Sequence, residues 1–293
     1  MMTGEVELNL EPAAATAAEK SLDRGRPRRR GRRSTFWRIR DDIPRRLELS
    51  LVVLSLLLPL LIWTAIYASG QVSRIFLPSP WESAQAGYEM LTSGDLLKDT
   101  RASSQRVFLG FGIGLLFAVP IGLGMGTFRS VRALFEPMIG MVRYAPATAF
   151  IPLLLIWLGI GEDPKIALVV IGTVFFNTVM IANVVWQVPS ELIKASQTLG
   201  AGSFGVFRRV IFPYAVPGMI DTFRVNLAAA WNLIVVAEVL AADEGLGFRI
   251  VRAGKFLNVE QIFVAIAVIG VIGVGTDIGL RILRDRLAPW SQE

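Results

Sequence analysis

Six predominantly apolar runs of bilayer-spanning length lie along the chain, at residues 47–69, 107–126, 137–159, 166–188, 214–240 and 262–279. Wound as α-helix at about 1.5 Å per residue, such runs match a hydrocarbon core of about 30 Å. The pattern predicts an all-α, multi-pass membrane protein with about six transmembrane helices. The first run is too long for a signal-peptide core and starts too far from the N-terminus, so it reads as an uncleaved span. Ahead of it, residues 1–46 are polar, rich in Arg, Pro and Ala, and without periodicity, which is a composition that cannot bury a core. The expected organisation is a basic, largely disordered cytosolic tail at 1–46 and a transmembrane domain at 47–288.

Composition agrees, with 53% hydrophobic and only 18% charged residues in 293. The formal charge of +6 is unevenly placed: eleven Arg between 24 and 46 against Asp41 and Asp42 leave +9 there and −3 over the rest. An Arg tract beside a span sets orientation or touches anionic headgroups, so membrane lipid rather than nucleic acid is the expected contact. In a six-span arrangement that tract, Arg129/Arg132, Lys194/Arg208/Arg209 and Arg281/Arg284/Arg286 all fall on one side, which the positive-inside rule makes the cytoplasm. Both termini are then cytoplasmic. Arg249, Arg252 and Lys255, in the loop before the last run, fall on the opposite side against the rule. With no Cys and no His, disulfides, thiolate chemistry, the usual triads and zinc sites have little to work with, and neither a catalytic set nor a metal site is expected.

Between the fourth and fifth runs stands an amphipathic, Gly-punctuated and basic segment, ELIKASQTLGAGSFGVFRRVIFPYAVPG from Glu191 to Gly218. It is expected to form a cytosolic loop at 189–213: a helix, a break at Gly200, and a second helix ending at Pro213. Leu192, Ile193, Ala195, Ser196 and Leu199 give it small and apolar positions, while Val206, Val210 and Ile211 can anchor its exit. A plain connector has the same periodicity.

The segment resembles the EAA loop of binding-protein-dependent ABC importer permeases, a pattern of Glu-Ala-Ala, three residues, Gly, nine residues and Ile-x-Leu-Pro. Ala195, Ser196, Gly200, Val210, Phe212 and Pro213 match at the family's spacing. Lys194 stands where the family has Glu, and Glu191, one helical turn earlier, can present a carboxylate on nearly the same face. RYAPATAFIPLLLIWLGIGEDPKIALVVIGTVFF, PGMIDTFRVNLAAAWNLIVVAEVLAADEGLGFRI and the early LPSP are similar to the nitrate/sulfonate/taurine/bicarbonate branch, so that the likeness covers roughly residues 47–288. The resemblance implies a type I ABC importer permease fold and a homodimer. It also implies separate cytosolic ABC ATPase subunits, which carry ATP and Mg and grip the loop through Glu191, Lys194, Ala195, Ser196, Gly200, Phe212 and Pro213, and an extracytoplasmic solute-binding protein on the outer face. The substrate would be a small anion or zwitterion. The chain has no Gly-x-x-x-x-Gly-Lys-Ser/Thr phosphate cradle of its own, since its one Gly-Lys pair, Gly254-Lys255, is followed by Phe. No cofactor and no enzymatic activity are expected on this chain.

Polar groups inside apolar runs are costly unless paired or water-lining. Arg143 with Pro146 and Pro152 interrupts the third run, and Asp221/Arg224 and Asp277/Arg281 are spaced to pair along their own helices. Asn177 and Asn232 lie nearer the middle of their runs, where lining an aqueous path and gluing two helices are equally open, and Glu238 lies a turn from the outer end. Arg143, Asn177, Asn232 and Glu238 are the candidates to line the translocation path. Gly110/Gly114, Gly122/Gly126 and Gly275/Gly279 are spaced for close helix packing. A stand-alone secondary carrier or channel is the alternative, with a membrane enzyme behind it. A carrier calls for broken spans in paired positions of two halves, and only one run here is broken.

Overall fold

A computed structural model of the protein describes residues 43–291, so residues 1–42 of the expected tail lie outside them. Every element among the described residues is helical. The first helix, α1 (Arg45–Ala68), takes the first apolar run, and the boundary between the two compact units of the chain falls inside it, between Pro59 and Leu60.

Between the first two apolar runs the second unit holds a helix that the runs do not mark, α2 (Pro80–Thr92), and the first turns of α3 (Asp95–Thr127). Ser79 starts α2 with a capping box: its hydroxyl accepts from the Glu82 amide at 3.0 Å, and the Glu82 carboxylate accepts from the Ser79 amide at 2.6 Å. Pro80 takes a first-turn position, where its missing N–H costs nothing. The Ser79 amide, and after it the Ser79 side chain, hold the Glu82 carboxyl below its ordinary range.

Glycine sets the spacing between α3 and α6 (Asp163–Trp186). A Cβ on Gly110 would stand 2.7 Å from Val169, and one on Gly122 would stand 2.8 Å from Ile181. Only hydrogen lets the backbones approach this closely, as the small-residue spacing implied. The other pair behaves differently, because a Cβ on Gly275 or Gly279 would meet nothing within 4 Å among the described residues.

Partners on α3 and α6 advance together along both sequences, so these helices run parallel. Contacts of α9 (Phe212–Ala241) with α6 descend instead, from Gly218 against Val184 to Asn226 bonded to Asn177, so this pair is antiparallel. The chain must therefore return across the bundle between α3 and α6. It does so through α4 (Arg129–Val142) and, after a 3₁₀ turn at Ala147–Phe150, α5 (Ile151–Leu158), which are bent by 80° to one another. Among the described residues, five helices are long and apolar enough to cross a membrane, and counting this bent pair makes six.

The third run is thus not one helix. Pro146 disfavours helical backbone in the residue before it, and the chain turns over 143–146. Pro152 breaks nothing, because it lies in the first turn of α5.

Val107, Phe111, Leu168, Val169, Leu227, Trp231 and Ile234 form the main core among α3, α6 and α9, joined by Ile151 and Leu154 of α5. The chain closes with α10 (Leu246–Lys255) and α11 (Val259–Leu287). Trp63 donates to the Pro78 carbonyl at 2.9 Å and stacks on Phe263, while Trp81, Trp157 and Trp290 are exposed.

Candidate functional site

The 189–213 segment has a rigid root and a bare surface. Its first helix, α7 (Ser190–Thr198), ends before Gly200, whose φ of +88° is a left-handed conformation that glycine adopts without strain. The return leg, α8 (Ser203–Val206), passes through a π turn at Phe207–Ile211 straight into α9. The second helix therefore does not end at Pro213. An added residue in that turn shifts the hydrogen-bond ladder just ahead of the proline, which can neither donate nor tolerate the usual carbonyl four residues back.

Val206 and Ile211 are buried with Val185, Val188 and Ala215, so the exit is anchored in the helix pack. Away from that root, Glu191, Lys194, Ala195, Gly200 and Phe212 are exposed, and Ser196 and Pro213 are half-buried. Leu199 is 88% exposed and Phe204 73%. The Lys194 ammonium has no hydrogen bond or ion pair among the described residues. Glu191 takes a bond from Ser190 at 3.0 Å, and its carboxyl is held below its ordinary range by its own backbone amide and then by Ser190.

At the opposite end of the bundle lies a constellation that the sequence reading did not assemble. Asp99, Ser103 and Arg106 recur at helical spacing on one face of α3 and are all buried. Arg106, 2% exposed, donates to the Glu238 carboxylate at 2.7 Å, to the Glu244 carbonyl at 2.7 Å and to Glu162 at 2.8 Å. Glu238 also accepts from the Ser103 hydroxyl at 2.8 Å and from the Gly247 amide at 2.9 Å.

Asp99 accepts from the Gly245 amide at 2.9 Å and from Arg249 at 2.7 Å, and the Ser103 oxygen accepts from the Leu246 amide at 2.8 Å. Side chains of α3 and α9 thereby satisfy the free amides at the start of α10, which has no cap of its own. Arg106 and then Lys165, at 2.8 Å, hold the Glu162 carboxyl down to about 2 against the opposing effect of burial. The Asp99 bond also accounts for Arg249, one of the three cations of the loop before the last run. Helical spacing of Asp99, Ser103 and Arg106 was the available signal, but it straddles the start of an apolar run.

The four path candidates do not come together. Glu238 is 1% exposed and its carboxylate is fully engaged in this clasp. Asn177 is fully buried and accepts from Asn226 at 3.0 Å across α6 and α9, which is the gluing role, and its own Nδ2 lacks a partner. Asn232 is exposed and donates to the Ala228 carbonyl at 3.0 Å. Arg143 is exposed over the Tyr144 ring and borders a small hollow of about 70 Å³ with Arg132, Glu136 and Asn183.

Near the loop end, the pairs expected along single helices also bridge two. Arg224 grips Asp277 at 2.8 Å and Asp221 at 2.8 Å, and Arg284 reaches Asp221 at 3.1 Å, tying α9 to α11.

Up to six helical spans of membrane length among the described residues, the third of them bent, and a loop rooted in the bundle but bare outside it fit a membrane-embedded subunit of a transport system. The family described as the binding-protein-dependent transport system inner membrane component matches residues 110–290, more than half of the chain, and the chain belongs to it. It is 35% identical to the taurine transport system permease protein TauC of Escherichia coli (strain K12), over 87% of this chain and 94% of that one. It is 31% identical to the putative aliphatic sulfonates transport permease protein SsuC of Bacillus subtilis (strain 168), over 80% of this chain and 86% of that one. Among solved structures, an amino acid ABC transporter shares the fold with a TM-score of 0.57 at 16% identity, covering 68% of this chain and 97% of that one.

Proposed function

We propose that this chain is the permease subunit of an ATP-driven importer of small sulfonates, coupled to separate ATPase subunits through residues 189–213. The observation that carries the coupling is the contrast within that segment. Val206 and Ile211 are locked into the core, whereas Leu199 and Phe204 stand bare on the same short hairpin. Apolar side chains left exposed on a rigid root suit a partner that covers them. Glu191, Lys194, Ala195, Ser196, Gly200, Phe212 and Pro213 form or flank this contact.

The loop end is assigned to the cytoplasm, with both termini on that side, because Arg129, Arg132, Lys194, Arg208, Arg209, Arg281, Arg284 and Arg286 gather there. The clasp end then faces the solute-binding protein. ATP and Mg belong to the ATPase subunits, and their closure would rock the loop and, through its root, α6 and α9. The path runs between two copies of the chain, because a single copy has too few polar faces to solvate a charged ligand. Arg143 and Asn232 are accessible to such a path as the chain stands, whereas Asn177 and Glu238 reach it only if their helices part.

Sulfonate as substrate is supported by the two relatives named for taurine and aliphatic sulfonates. The solute-binding protein that docks on this chain, purified under native conditions, is expected to release taurine or another alkanesulfonate on denaturation, read by mass spectrometry. A sugar or a peptide in that fraction would overturn the substrate assignment.

A further inference from the structure

The loop before the last run carries three cations, Arg249, Arg252 and Lys255, on the side that the positive-inside rule leaves poor in them, and of these the clasp accounts for only one. Arg249 is bonded to Asp99. Arg252 and Lys255 are exposed, and their side chains make no hydrogen bond or ion pair among the described residues. Both line a hollow of about 560 Å³ at the clasp end, between α10 and the ends of α5 and α9. Its wall is otherwise mostly apolar, with Ile160, Leu240, Phe248 and Phe256, and one carboxylate, Asp243, also lines it. Asp243 likewise has no bonded partner among the described residues.

The volume suits a small molecule, and the clasp fixes α10 as a rigid support for the two cations. Cations in a partly apolar hollow attract an anion more strongly than cations in open water. We propose that this hollow receives the substrate. In it the sulfonate lies on Arg252 and Lys255, the alkyl segment lies along the apolar wall, and an ammonium, where the substrate carries one, lies on Asp243. This rests on the importer reading for the choice of sulfonate, while the site itself rests on the hollow and its unpaired charges.

The test is binding of butanesulfonate, ethanesulfonate and taurine to the permease–ATPase complex in nanodiscs of neutral lipid, measured by saturation-transfer NMR and calorimetry. Butanesulfonate is expected to bind more tightly than ethanesulfonate, by up to about fourfold per methylene. Arg252→Gln and Lys255→Gln should each weaken both sulfonates about tenfold, the scale of one lost charge-assisted hydrogen bond, and the double variant should bind neither. Asp243→Asn should weaken taurine and leave butanesulfonate unchanged or tighter.

Absence of binding to the wild type, retained binding in the double variant, or equal loss of both ligands in Asp243→Asn would overturn the site. So would competition by phosphatidylglycerol added to the nanodiscs, which would make a lipid headgroup the occupant. If the wild type binds sulfonate but does not import it, the site stands and the importer reading falls. If the double variant imports at the wild-type rate, the site falls and the importer reading stands.

Discussion

Gly200→Glu is expected to abolish ATP-driven uptake and the stimulation of ATPase activity by the loaded binding protein, while leaving the chain folded in the membrane. Among the described residues nothing lies within 4 Å of a Cβ at Gly200, so a side chain starts there without a clash. Its intramolecular cost is the left-handed φ of +88°, about 1–2 kcal/mol for a residue with a Cβ. A loss of coupling far beyond that small instability must come from what covers the hairpin. Gly200→Asn separates the two effects, because Asn tolerates left-handed backbone without adding charge, and it should keep most of the uptake. Uptake by Gly200→Glu at the wild-type rate would remove the hairpin from the coupling path.

Arg106→Met is expected to give the largest loss of stability of any single change in the clasp. It leaves the Glu238 carboxylate buried without its guanidinium, a situation that costs about 3–5 kcal/mol. The readout is the thermal unfolding midpoint of the detergent-solubilised protein by tryptophan fluorescence. Adding Glu238→Leu should restore part of the loss, because the orphaned charge is then gone as well. The amides of α10 are a separate matter: Gly247 loses its acceptor with Glu238, so recovery should stop short of wild type. A midpoint in Arg106→Met indistinguishable from wild type would mean that the clasp does not hold α10 to α3.

Where the sequence was legible and where it was not follows from the range of the interactions involved. Apolar runs report burial in lipid residue by residue, and five of the six became long helices at close to the expected positions. The hairpin was legible because its glycine, proline and anchor residues act within a few positions of one another. The helix α2 was written in Ser79 and Glu82 but hidden by the absence of a long apolar run. The sense of Pro213 depended on a π turn, which has no periodicity of its own. The clasp was the hardest to see: Arg106 and Glu238 are 132 residues apart, and only the parallel packing of α3 on α6 and the return of α9 bring them together. Glu238 consequently looked like a path residue when its environment is a closed set of donors. Asn177 could not be assigned between lining and gluing until Asn226 stood opposite it.

Import of a small sulfonate by this chain, with energy delivered by another subunit, is tested most directly by accumulation of labelled taurine in proteoliposomes that hold this chain with its ATPase subunits. ATP is supplied on the loop side and the binding protein on the clasp side. The expected result is accumulation against a gradient that requires ATP, the ATPase subunits and the binding protein together. Accumulation by this chain alone, driven by an ion gradient and indifferent to ATP, would contradict it.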